Sequence, residues 1–193
     1  MKIVIVNYGA GNIQSIKFAI QRLGYEAVLS DDPEEIKNAD KVIFPGVGEA
    51  SSAMKKLKNS GLDMLIPKLK QPVLGICLGM QLMCNYTEEG DTKGLGIFDV
   101  NVVRFNHGVK VPQIGWNQIE GLDSPLFEGV TQNEYIYLVH SFYAPITKDT
   151  IATSTYGLQY TTALHKDNFY GTQFHPEKSS LTGERILRNF LEI

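Results

Sequence analysis

The chain has 193 residues, 43% of them hydrophobic, and a formal net charge of −3. That is enough apolar material for one packed core, and a near-balanced charge without a block of Lys or Arg argues against a nucleic acid or a membrane surface as partner. The opening apolar run is too short to span a bilayer and lacks the basic flank of a signal peptide, so it reads as a buried strand.

The expected elements alternate from the start. Residues 2–7 form strand one, and Gly9, Ala10 and Gly11 turn the chain into a helix. There Ile13, Ile16, Ala19, Ile20 and Leu23 recur at helical spacing until Gly24 stops it. Residues 26–29 are a second strand, 34–39 a short helix, and 41–44 a third strand ended by Pro45. Residues 51–59 and 62–69 look helical, and the apolar run 73–76 after Pro72 reads as a central strand buried on both faces, with a helix starting directly after Cys77. From Phe98 the pattern alternates at 99–105, 135–139, 151–156, 161–165 and 169–174, which suggests antiparallel additions to the sheet; 182–192 is a closing helix. The expectation is a single α/β domain over 1–193, with a mostly parallel central sheet, helices on both faces and antiparallel additions in the C-terminal half.

The two cysteines, Cys77 and Cys84, would lie about two turns apart on one helix, roughly 10 Å, too far for a disulfide. Unpaired thiols favour a reducing compartment, so a cytoplasmic protein is expected.

Gly75-Ile76-Cys77-Leu78-Gly79 sets one reactive side chain between two glycines where a buried strand meets a helix. That is the cysteine form of a nucleophile elbow: the sharp turn raises Cys77 above the strand ends, Gly75 and Gly79 clear side chains from its way, and the helix start favours a thiolate. The N–H of Leu78 would face a developing oxyanion. Cys84, beside Leu82 and Met83 on the same expected helix, reads as packing. A thiol needs a base and a group to orient it. His175-Pro176-Glu177 offers both at a strand end, since residues two apart in extended chain share a face. Pro45-Gly46-Val47-Gly48, after strand three, falls at the same edge of the sheet and suits an adjustable oxyanion hole. Gly9-Ala10-Gly11 approaches a dinucleotide fingerprint, but Gln14 stands where the third glycine belongs, so no nicotinamide or flavin cofactor is called for. His107, His140 and His165 lack metal-ligand spacing, and no metal is expected.

With these residues in place, the chain resembles the class I (triad) glutamine amidotransferases, a flavodoxin-like three-layer fold in which a GxCxGxQ elbow pairs with a distal HPE. NYGAGN, PGVG, GICLGMQLM, GWN and QFHPEKS occur in that order along the whole chain. The resemblance implies a thioester mechanism with Cys77, His175 and Glu177 as the triad, no cofactor, and the N–H groups of Val47 and Leu78 as oxyanion hole. By the same resemblance Gly48, Gln81, Glu89, Ser141 and Phe142 bind the glutamine, with Glu89 on its ammonium group and Glu88 the adjacent competitor for that role. It further implies a separate (βα)8-barrel cyclase subunit as heterodimer partner, docked near Asn12, Trp116, Tyr137 and Lys178. A barrel of that kind takes ~250 residues and cannot fit in this chain. A glutaminase of the same class serving anthranilate or pyridoxal phosphate synthesis would carry the same triad, although PGVG and NYGAGN favour the histidine pathway. A cysteine peptidase or deglycase, and a flavodoxin-like module without catalysis, are the readings from other classes.

Overall fold

A computed structural model describes residues 1–193 except Ala10 and His107, so the parts of the glycine turn and of the histidine survey that involve those two lie outside the described residues. The elements in chain order are β1 (Ile3–Val6), α1 (Ile13–Arg22), β2 (Ala27–Ser30), α2 (Pro33–Lys37), β3 (Lys41–Gly46), α3 (Ala50–Asn59), α4 (Leu62–Leu65), β4 (Val73–Cys77) and α5 (Leu78–Met83). There follow β5 (Cys84–Thr87), β6 (Thr92–Lys93), β7 (Phe98–Arg104), β8 (Gln113–Gln118), β9 (Tyr135–His140), β10 (Phe142–Tyr143), β11 (Thr150–Thr155), β12 (Gln159–Lys166), β13 (Phe169–Thr172) and α6 (Ser180–Glu192).

Seven strands form the central sheet in the order β11-β12-β13-β4-β3-β1-β2. β2, β1, β3, β4 and β13 run parallel, and β12 and β11 add antiparallel at one edge. Because its middle strands are covered on both sides, they read as unbroken apolar runs. On one face Ile3, Ile5, Ile43, Leu74 and Ile76 pack with Ile16, Ala19 and Ile20 of α1 and Ile186, Leu187 and Phe190 of α6. The other face packs Val4, Val6, Val42 and Phe44 against Ala53, Met54 and Leu57 of α3 and Phe98 and Val102 of β7. Phe105, Tyr143 and Tyr160 make a small third cluster, with Phe105 edge-on to Tyr160.

Four expectations are corrected. β13 pairs with β4 in parallel, Phe169 opposite Val73, so of the late strands only β11 and β12 are antiparallel additions to the central sheet. β8 with β9, and β10 with β7, β5 and β6, form two separate sheets instead. β3 continues through Pro45 to Gly46; its pairing with β1 ends at Ile43, and a proline is tolerated where a strand is held on one side only. The helix after Cys77 is only six residues long, and Cys84 opens β5 rather than sitting on that helix. Its packing role stands: the thiol is fully buried, and burial pushes its pKa far up.

Candidate active site

β4 ends at Cys77, and its two neighbours in the sheet, β3 and β13, end level with it: Gly46 lies opposite Cys77 and Thr172 opposite Ile76. The loop after β3 and the segment after β13 therefore both emerge beside the sulfur. Parallel topology thus joins residues nearly a hundred positions apart at the carboxyl edge, where such sheets build their sites.

Cys77 adopts φ +53°, ψ −110°, a backbone state that costs a non-glycine residue on the order of 1–3 kcal/mol and is held only by its surroundings. The glycines beside it work differently from the expectation. A Cβ on Gly79 would strike the Phe44 carbonyl oxygen, and one on Gly75 would meet Met80 N at 2.9 Å. They let α5 close on β3 and β4, rather than clearing space around the sulfur.

Cys77 and His175 line the same cavity, close enough for the thiol to act on the charge state of the ring. His175 is buried, and its Nδ1 donates to Glu177 Oε1 at 2.9 Å, leaving Nε2 for the sulfur. The pair is closed by a 3₁₀ turn over Pro176–Lys178, not by alternation along an extended strand. Burial acts to lower the His175 pKa, but the hydrogen bonds and charges of Cys77 and Glu177 outweigh it and raise it to about 10. The Glu177 side chain is almost wholly buried behind the ring.

These groups open on a cavity of about 340 Å³, large enough for a small molecule. Of the expected residues, Val47, Gly48, Cys77, Leu78, Gln81, Glu89, Ser141, Phe142, His175 and Lys178 line it. Gln81 is buried, unlike a surface helix residue, and donates from Nε2 to the Phe142 carbonyl at 3.0 Å. Glu89 is half buried; burial raises its pKa, against the N–H of Ala50, which donates to Oε2 at 3.0 Å. Glu88 points elsewhere and accepts from the Arg104 N–H at 2.7 Å.

Trp116 and Tyr137 lie outside the cavity on paired positions of the β8–β9 hairpin, edge to face with centroids 5.8 Å apart. Asn12 caps α1 through its backbone only. Pro112, Val139 and His140 also line the cavity, and Gln173 reaches Cys77 from beneath. No local pattern marks these four, although His140 and Gln173 sit inside or beside motifs read for other residues. Among the described residues no group of three His, Cys, Asp or Glu could hold a metal ion, and no helix is long and apolar enough to cross a membrane.

The family model for glutamine amidotransferase class-I matches residues 4–193. The imidazole glycerol phosphate synthase subunit HisH of Bacteroides fragilis strain YCH46 is 57% identical, with all of both chains covered. The protein of that name from Bacteroides thetaiotaomicron is 58% identical over the same extent, and that from Haemophilus influenzae 44%, covering 100% of this chain and 98% of its own. Among solved structures, one described as a glutamine amidotransferase superposes with a TM-score of 0.77 at 21% identity, covering 98% of this chain and 97% of its own. PurLQS from Thermotoga maritima gives 0.74 at 16%, covering 99% and 97%. At such identities these two speak for the fold alone. On the match over almost its whole length, and on relatives sharing more than half its residues, the chain belongs to the class-I glutamine amidotransferase family.

Proposed function

We propose that the chain is the glutaminase subunit of imidazole glycerol phosphate synthase, hydrolysing glutamine to glutamate and ammonia for a separate cyclase subunit. The observation that carries this reading is the meeting of Cys77 and His175 at one cavity, with Glu177 on the far ring nitrogen. The sulfur attacks the side-chain amide carbon of glutamine, and the oxyanion is taken by the N–H groups of Val47 and Leu78. His175 Nε2 hands a proton to the departing ammonia, and water then cleaves the thioester to release glutamate. Glu89, a half-buried carboxylate at the cavity wall whose pKa burial raises, takes the substrate ammonium group; Gly48, Gln81, Ser141 and Phe142 line the rest.

The ammonia passes to a (βα)8-barrel cyclase, bound as a heterodimer partner, which makes imidazole glycerol phosphate and aminoimidazole carboxamide ribotide in histidine biosynthesis. Identity of 57% over the full length to subunits of that synthase favours this acceptor over anthranilate or pyridoxal phosphate synthesis. Asn12, Trp116, Tyr137 and Lys178 are the proposed docking residues. Trp116 is 52% exposed with Ile114 and Tyr135 beside it on the hairpin, an aromatic, apolar face suited to an interface. The whole of 1–193 acts as one glutaminase domain, and its two free buried thiols suit the cytoplasm.

An alkylating analogue of glutamine decides the chemistry. It should label Cys77, with the label lost in Cys77→Ala; labelling at another residue, or none with the cyclase present, would end the glutaminase reading.

A further inference from the structure

The polar side chains packed around Cys77 outnumber those that the proposed reaction uses. Gln173 is fully buried two residues before His175. Its Nε2 donates to Cys77 Sγ at 3.8 Å, and its Oε1 accepts from Gln81 Nε2 at 2.8 Å.

The orientation of both amides follows from one partner that has no choice. The Phe142 carbonyl can only accept, so Gln81, 3.0 Å away, turns its nitrogen toward it. That nitrogen also faces Gln173, which must answer with its oxygen. The Gln173 nitrogen, a donor, is left aimed at the sulfur.

A second arm holds the same carbonyl. His140 Nδ1 lies 2.7 Å from Phe142 O. Burial lowers the His140 pKa to about 4, and the neighbouring His175 charge pushes the same way, so the ring is neutral with its proton on Nδ1. Its Nε2 then accepts, and the neighbour able to donate to it is the Tyr160 hydroxyl, 3.3 Å away, beside Gln113 Oε1 at 3.0 Å. A continuous buried network thus runs from Tyr160 through His140, the Phe142 carbonyl, Gln81 and Gln173 to Cys77.

We infer that Gln173 is a positioning residue for the nucleophile: one amide ties Cys77 Sγ to Gln81, holding the sulfur in register with the glutamine side of the cavity and favouring its ionised form. An N–H donor strengthens as its acceptor becomes charged. A group that only filled space would leave the thiol titration where it was. The inference rests on Cys77 being the nucleophile of the proposed reaction. His175 from the segment after β13 and Tyr8 from the end of β1 are the titratable groups coupled to the sulfur, with Glu89 and Lys178 on the cavity wall.

Gln173→Met keeps the length of the side chain and removes the amide. In the full-length chain, alkylation of Cys77 by iodoacetamide is followed against pH, with the labelled residue identified by mass spectrometry. The midpoint should rise by about one pH unit, and the rate at neutral pH should fall about tenfold. A folded variant with the wild-type midpoint overturns the inference. Should Gln173→Met not fold, the wild-type chain answers instead: the side-chain amide resonances of Gln173 in 15N-labelled protein must move with the alkylation midpoint, and resonances flat across it refute the tie. Failure of the glutaminase reading is separate, since it appears as a wild-type Cys77 that the glutamine analogue does not label.

Discussion

Histidine ordinarily loses its proton near pH 6.5, yet His175 holds it to about pH 10 because Cys77 and Glu177 outweigh the cost of burial. In its proposed role as proton donor to ammonia it stays charged across the neutral range, so the alkaline limb of kcat/KM should lie near pH 10. Glu177→Gln preserves an acceptor for Nδ1–H but removes the negative charge, and the limb should move down by about 1–2 units. A limb that stays in place would show that Glu177 does not set the state of the ring. Glu89→Gln, by contrast, should raise KM about tenfold with kcat nearly unchanged, because in the proposed reaction its charge meets a part of glutamine that does not react; steady-state kinetics with glutamine separates the two effects. Cys77, His175 and Glu177 were legible in the sequence because each sits in a short segment whose spacing carries its chemistry. Gln173 and His140 were not, since what makes them matter is a partner 96 or 20 residues away.

At the scale of elements, the site depends on how closely α5 approaches β3. A Cβ on Gly79 would run into the Phe44 carbonyl, a backbone group with no freedom to yield. Gly79→Ala should therefore destabilise by about 3 kcal/mol or more, or prevent folding, as measured by urea unfolding. The parallel half of the sheet could be read from sequence because strands such as Val73–Cys77 are buried along their full length and appear as continuous apolar runs. The strands over Cys84–Thr87 and Gln113–Gln118 escaped notice. Gln113 is buried with its side-chain oxygen against the Tyr160 hydroxyl beside His140, a pairing that nothing local announces. The direction of Phe169–Thr172 was also hidden: a strand's side-chain pattern reports its burial, while its sense depends on the neighbour it finds, here β4.

At the scale of the molecule, the hairpin that carries the proposed docking residues Trp116 and Tyr137 also lines the cavity, through Val139 and His140. Trp116 on β8 is the largest exposed aromatic there, and Trp116→Ala should weaken assembly with the cyclase by about 2 kcal/mol, near thirtyfold in Kd by titration calorimetry, while leaving alkylation of Cys77 in the isolated chain intact. The same ribbon is stitched directly into the reacting groups. The His175 N–H bonds the Tyr137 carbonyl at 3.0 Å, and the Val139 carbonyl lies 3.8 Å from Cys77 Sγ. Tyr137 stands directly across from Trp116. A load borne by the tryptophan thus needs to cross only one pair of strands before it reaches the backbone from which the imidazole hangs, and the receptor for the ammonia would have its hand on the tap.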